Sequence, residues 1–146
     1  MTDEFELYHG AALCRIVHDD RLKSIRLLSK NSNSSYLVNN RIGIYVKYST
    51  KRMAPWTFTF SSVHVAELLD LGSKTEKAYL VLVCKDDGIA CLDLEEVKTV
   101  MDISLGRNQG ISASRRPREE YKIRGTLGEM KYKFADSQFP NRIFQC

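Results

Sequence analysis

Lys47 closes an alternating stretch within "NNRIGIYVKYSTKRMAPWTFTF", residues 39–60, with Tyr45 two places before it and Lys51, Arg52 and Trp56 soon after. Amines neutralise phosphates, and an aromatic face can stack on a nucleobase, worth roughly 1–3 kcal/mol per base. A second concentration lies in "SASRRPREEYKIR", which carries Arg115, Arg116, Arg118, Lys122 and Arg124 around a stiffening proline. The planar guanidinium fork matches phosphate oxygens. Lys47, Lys51, Arg52, Trp56, Arg115, Arg116, Arg118, Lys122 and Arg124 are therefore the expected nucleic-acid contacts. Each also has a plainer use. Lys47 suits the polar side of a half-exposed strand, Trp56, Phe58 and Phe60 suit the cover of a sheet, and a basic edge discourages sheet-to-sheet aggregation.

Charge is distributed unevenly. From Arg107 to Lys133 eight basic residues stand against three acids, a surplus of five, whereas the whole chain is only +4, so the remainder sums to −1. Such asymmetry suits a polyanion partner as well as a solvated surface.

Other chemistries find less purchase. His9 and His64 lack HxxxH or Ser/His/Asp companions, Ser61 and Ser62 read as helix caps, and "GIYVKYSTKR" lacks the spacing of a phosphate-binding P-loop. The four cysteines, at 14, 84, 91 and 146, include no CxxC pair, so neither a disulfide framework nor a zinc ribbon is expected. Cys14 and His18 could share a helix face, and Cys84 and Cys91 flank a turn. No metal ligands are assigned, and Cys84 in "AYLVLVC" reads as a small core residue.

The elements that must position these residues follow from hydrophobic period. Residues 3–18 show helical spacing with acids in the first turn; "LKSIRLLSK" reads as a short strand, "NSNSS" as a turn and Tyr36 as the start of a second strand. Ile42, Ile44, Val46 and Tyr48 alternate with Gly43, Tyr45, Lys47 and Ser49 in a third. "WTFTF" continues extended, "SSVHVAELLDL" reads as a helix stopped by Gly72, and "KAYLVLVC" as a strand buried on both faces. "IACLDL" is a further strand and "LEEVKTVMD" a helix, with "SLGRNQG" as a loop. In "EYKIRGTLGEMKYKF" a hairpin is expected, with Tyr121, Ile123, Met130, Tyr132 and Phe134 inward and Lys122, Arg124, Lys131 and Lys133 outward. The fold class is thus α/β (α+β): one mixed sheet flanked by helices, with a C-terminal β-hairpin.

At 146 residues, 43% apolar and 27% charged, the chain fits one domain, with a core at about 3–100 and a basic extension at about 107–146. No apolar run is long enough to span a bilayer, and the acidic opening "MTDEF" argues against a secretory signal. A cytoplasmic protein without a membrane partner is expected.

Helix, three strands, helix, strand is also the order of the restriction-endonuclease-like, or PD-(D/E)XK, superfamily, which residues 3–100 resemble mainly in that element order, together with "YVKYSTKRMAPWTFTFSSVHVAELLDL". The resemblance implies an acid near the second strand, an acid two places before the lysine, often a glutamate on the first helix, and divalent metal. Lys47 matches the lysine, but Tyr45 stands in the glutamate's place and Asn39 or Asn40 about where the aspartate belongs. Glu4 and Glu6 remain as acids of the first helix. A neutral tyrosine is a poor ligand for Mg²⁺, and an asparagine supplies oxygen without charge.

The expected function is accordingly nucleic-acid or polyanion binding, to DNA or RNA, on a nuclease-like fold with a dismantled site and no cofactor. One alternative is a Mg²⁺-dependent endonuclease with acids relocated to Asp19, Asp20, Asp86 or Asp87. The other is a protein-interaction subunit, as a homodimer or in a larger complex.

Overall fold

The computed structural model describes residues 1–104 and 108–145. Arg107 and Cys146, which figure in the charge and cysteine readings above, lie outside the described residues.

Alternation along residues 42–49 organises the molecule. β3 (Ile42–Ser49) turns Ile42, Ile44 and Val46 to one face and Tyr45 to the other, and hydrophobic clusters cover both. It is the centre of a five-stranded mixed sheet ordered β1-β2-β3-β5-β6, formed with β1 (Ile25–Ser29), β2 (Ser32–Val38), β5 (Lys77–Cys84) and β6 (Gly88–Asp93). β3 and β5 run parallel, in register from Ile42↔Lys77 to Ser49↔Cys84, and the other pairs are antiparallel. A parallel pair needs a crossover. Here α2 (Ser62–Lys74) supplies it, packed so closely that a Cβ on Gly43 would come within 2.7 Å of Leu71.

α1 (Glu4–Val17) covers the face carrying Ile42, Ile44, Val46, Val81 and Cys91, together with Phe139 and Ile143 from the C-terminal segment. The opposite face meets α2, α3 (Leu94–Val100) and a second sheet, ordered β4-β7-β8-β9. That sheet comprises β4 (Trp56–Phe60), β7 (Gln109–Ser114), β8 (Lys122–Gly125) and β9 (Gly128–Glu129). Its alternation is one-sided: Trp56, Phe58, Phe60, Ile111, Ala113 and Ile123 enter the core while Thr57, Thr59 and Arg124 face solvent.

The mixed α+β architecture expected from the sequence is observed, and the C-terminal hairpin is present as β8–β9. What the linear pattern did not separate is that "WTFTF" leaves the first sheet and pairs with β7. Three local readings change. "NSNSS" is not a turn beyond Asn31: β2 begins at Ser32, because the pairing of Ser32 with Ser29 of β1 and of Ser35 with Tyr45 of β3 overrides the turn preference of serine. α2 runs through Gly72 to Lys74, and Gly72 admits Leu94, which lies 2.6 Å from where a Cβ would be. Tyr132 is exposed instead of facing inward, its ring outside the hairpin's buried row.

Charged side chains tie the last segment down. Arg142 donates to the Cys91 carbonyl at 2.7 Å and pairs with Glu96 at 2.5 Å and Asp93 at 3.3 Å, while Arg15 pairs with Asp136 at 2.9 Å. Among the described residues no helix is long and apolar enough to cross a membrane.

Candidate anion-binding site

Lys47 lies two residues from the end of β3, where β2 starts and where the first turns of α1 and α2 arrive. Together they enclose a cavity of about 460 Å³, lined by Phe5 and His9 of α1, Asn33 and Ser34 of β2, Val46, Lys47 and Tyr48 of β3, and His64 of α2. None of these lining residues is an acid.

Sequence explains the position of each wall. Ser61 caps α2 and accepts the His64 amide, and the His64 ring returns the contact by accepting the Ser61 amide at Nδ1, 3.1 Å away. The capping exchange therefore holds the imidazole over the end of β3. Its Nδ1 also lies 3.3 Å from the Lys47 ammonium, and a nitrogen that receives two N–H donors is unprotonated. Burial, then the charge of Lys47, lowers the His64 pKa.

Across the cavity His9 is buried, with Nδ1 2.9 Å from the Tyr36 hydroxyl, and burial lowers its pKa as well. Tyr8 stacks on Tyr48, and His9 meets both Tyr36 and Tyr48 edge to face, so α1 is fixed against the sheet by aromatic contacts. Burial, then the charge of Glu4 and a hydrogen bond to it, raises the Tyr48 pKa.

Burial lowers the Lys47 pKa, and Glu67 partly restores it; the ammonium also lies 5.1 Å from the centre of the Phe60 ring. Glu67 does not belong to the ammonium alone. The Tyr45 hydroxyl donates to its Oε1 at 2.6 Å, and burial together with this carboxylate raises the tyrosine pKa. Tyr45 thus acts as a donor to an acid instead of a metal ligand.

The acids considered as migrants are placed elsewhere. Asp19 is bound by Arg21, which lowers its pKa to about 2. Asp87 accepts from Arg115 Nε at 2.7 Å and from the Tyr121 hydroxyl. Glu6 caps the amide of Asp3, and Asp86 is exposed on the β5–β6 turn. Among the described residues, no three His, Cys, Asp or Glu side chains gather as a metal-holding group.

Asn39 and Asn40 are not beside Lys47. They form the tight turn joining β2 to β3 at the far end, with φ of 53° and 57°, a conformation asparagine tolerates well. The β2 residues that line the cavity with Lys47 are Asn33 and Ser34, at the start of the strand.

The basic residues of the second sheet gather about a separate hollow of about 460 Å³, lined by Ala54, Ser114, Arg115, Arg116, Glu119, Glu120, Lys122 and Lys133. Lys51 and Arg52 are exposed on the loop that reaches Ala54, and Arg118 and Arg124 are exposed nearby in sequence. Lys122 approaches Glu129 at 3.7 Å. Arg115 differs from its neighbours. It is held by the Asp87 carboxylate and carbonyl and the Glu119 carbonyl, stacked 4.3 Å from the Tyr121 ring, and joins the second sheet to the β5–β6 turn. Trp56 is 3% exposed, packs edge to face on Tyr121 and donates its indole N–H to the Lys51 carbonyl. It anchors the basic loop and leaves no face for a base.

A residue lining each cavity is tied to the carboxyl end of the parallel pair. Lys47 is near the end of β3, and the turn gripped by Arg115 follows β5, its amide at Lys85 bonded to Ser49. Sequence reasoning missed His64, Asn33 and Glu67 as members of this region. Its available signal was helical spacing: His64, Glu67, Leu68 and Leu71 fall on one side of α2. Compared with protein-family models, curated proteins and solved structures, the chain gives no significant match.

Proposed function

We propose that the protein binds nucleic acid across the carboxyl end of β3 and β5, on a nuclease-like fold that has given up metal catalysis. The observation that carries this reading is the half-buried Lys47 ammonium, hydrogen-bonded to an imidazole nitrogen and set in a cavity whose lining lacks carboxylates. A cation held out of water without its own carboxylate favours an incoming anion, since the cost of burying the charge is already met by the fold. The superfamily resemblance is supported by the element order and by the parallel β3–β5 pair around an α2 crossover. The dismantled site is supported by Tyr45, whose hydroxyl serves Glu67.

Lys51, Arg52, Arg116, Arg118, Lys122 and Arg124 extend the surface beyond the cavity, and binding through them is counterion release. Reduced thiols at Cys14, Cys84 and Cys91 suit the cytoplasmic setting of this reading.

The test measures affinity for single-stranded DNA, duplex DNA and RNA over a salt series. With about four phosphates neutralised, log affinity should fall against log salt with a slope of about −0.7 to −0.9 per contact. Lys47→Met and the combined Arg116→Ser, Arg118→Ser, Lys122→Ser variant should each weaken binding, the second with a flatter slope. Absence of binding to all three polymers at low salt would overturn the proposal.

A further inference from the structure

We infer that the Lys47 cavity receives a terminal phosphate, so that the protein reads the end of a nucleic-acid strand; this rests on the nucleic-acid reading above and specifies its ligand. The cavity's size is the first argument. At about 460 Å³ it is on the scale of a small-molecule site, and helices wall it on two sides: Phe5 and His9 from α1, His64 from α2. The phosphates of a duplex lie on a convex surface and cannot descend between those walls. A phosphate on the last nucleotide can, because nothing follows it.

Donor chemistry is the second argument. Of the three N–H groups on Lys47, one is directed at His64, leaving two for a ligand. The β2–β3 register reaches Ser35↔Tyr45, and beyond it Asn33 and Lys47 line the same cavity. Asn33 is exposed, and its Oδ1 accepts from the Ser34 hydroxyl at 3.2 Å, which fixes the amide so that its NH₂ is the group left to donate. An ammonium and an amide N–H pair suit a terminal phosphate, which offers three oxygens and a charge of about −1.5 to −2, better than an internal phosphodiester with two oxygens and a single charge.

Glu67 is the carboxylate that could compete for the ammonium, and Tyr45 holds it by a 2.6 Å hydrogen bond. The cation is thereby left to the cavity.

The experiment compares short single-stranded oligonucleotides of one sequence with a terminal phosphate at either end or with hydroxyl ends. Each is titrated against the wild type, Lys47→Met, Asn33→Asp and the Arg116→Ser, Arg118→Ser, Lys122→Ser variant. The reading expected is a preference of about tenfold or more for one phosphate-ended strand in the wild type. That ratio should fall to about one in Lys47→Met and Asn33→Asp, and persist in the triple variant although its overall affinity drops. Asn33→Asp changes an exposed side chain, so it tests the cavity even where Lys47→Met disturbs folding. Excess inorganic phosphate should erase the ratio.

Equal affinity of the wild type for phosphate- and hydroxyl-ended strands would overturn the end-reading while leaving nucleic-acid binding intact. A preference that survives both Lys47→Met and Asn33→Asp, or that inorganic phosphate does not erase, would assign it to another surface and overturn the inference too. Failure to bind any strand would defeat the broader reading as well.

Discussion

The Lys47 ammonium lies 3.3 Å from Nδ1 of His64, and the two are set against each other by the capping of α2 by Ser61. Burial and Lys47 both lower the His64 pKa from its ordinary 6.5, whereas Glu67 raises it. An anion that offsets the ammonium's charge and draws it from Nδ1 relieves that nitrogen of one donor, so His64 takes up a proton more readily in the complex. Linkage then requires the His64 contribution to affinity to rise as pH falls through the range between its bound and free pKa values. Between about pH 7.5 and pH 5.5 a phosphate-ended oligonucleotide should gain more affinity for the wild type than for His64→Gln, the titration of the phosphate itself being common to both. An equal pH response in wild type and variant would separate His64 from the site.

Tyr45 and Glu67 yield two substitutions of opposite sign. Tyr45→Phe deletes a hydrogen bond to a carboxylate, at a cost of roughly 1.5–3 kcal/mol in denaturant unfolding, and frees Glu67 to engage Lys47. Anion affinity should fall. Glu67→Gln removes the competing charge, and affinity should rise by about fivefold, on the order of 1 kcal/mol. Changes of the same sign in both variants would refute the competition.

Arg115 and Arg116 are adjacent in the chain and opposite in use. Arg115→Ala breaks the pairing with Asp87, whose side chains are 13% and 28% exposed, and should cost about 2–3 kcal/mol of stability, below the 3–5 kcal/mol of a fully buried pair. Arg116→Ser should leave stability within about 0.5 kcal/mol and flatten the salt slope by nearly one contact. Thermal unfolding beside salt titrations distinguishes the two roles.

Arg142 fastens the C-terminal turn to β6 and α3. Arg142→Ala leaves Glu96, itself the capping partner of Asp93, without its 2.5 Å guanidinium contact. A loss of about 2–4 kcal/mol is expected, with hydrogen exchange accelerating first at residues 136–145, which keep the Arg15–Asp136 pair, the Ile89 amide on Asp136 and the buried Phe139 and Ile143 among their remaining fixed points. Uniform acceleration across the whole chain would argue against a local latch.

Much of the framework was legible because periodicity is local. The alternation of residues 42–48, the apolar run from Ala78 to Cys84 and the capped start of α2 each specify an element from neighbouring residues, and the structure contains all three. Identical chemistry at adjacent positions was not resolvable in that way. Arg115 and Arg116 read alike until Asp87, 28 residues away, binds one of them. Trp56 carried two meanings, a stacking face and a core anchor, and the packing of Tyr121 selected the second.

By itself the chain's order of residues determined the strands, the helices, the concentration of positive charge and the tyrosine two places before Lys47, since these depend on spacing and side-chain type. The tertiary structure alone decided that Asn33, not Asn39 or Asn40, stands near that lysine, and that Glu67 is occupied by Tyr45. The reason is physical: strand register and helix docking bring together groups far apart along the chain, and the free energy of those contacts is absent from any one stretch of it.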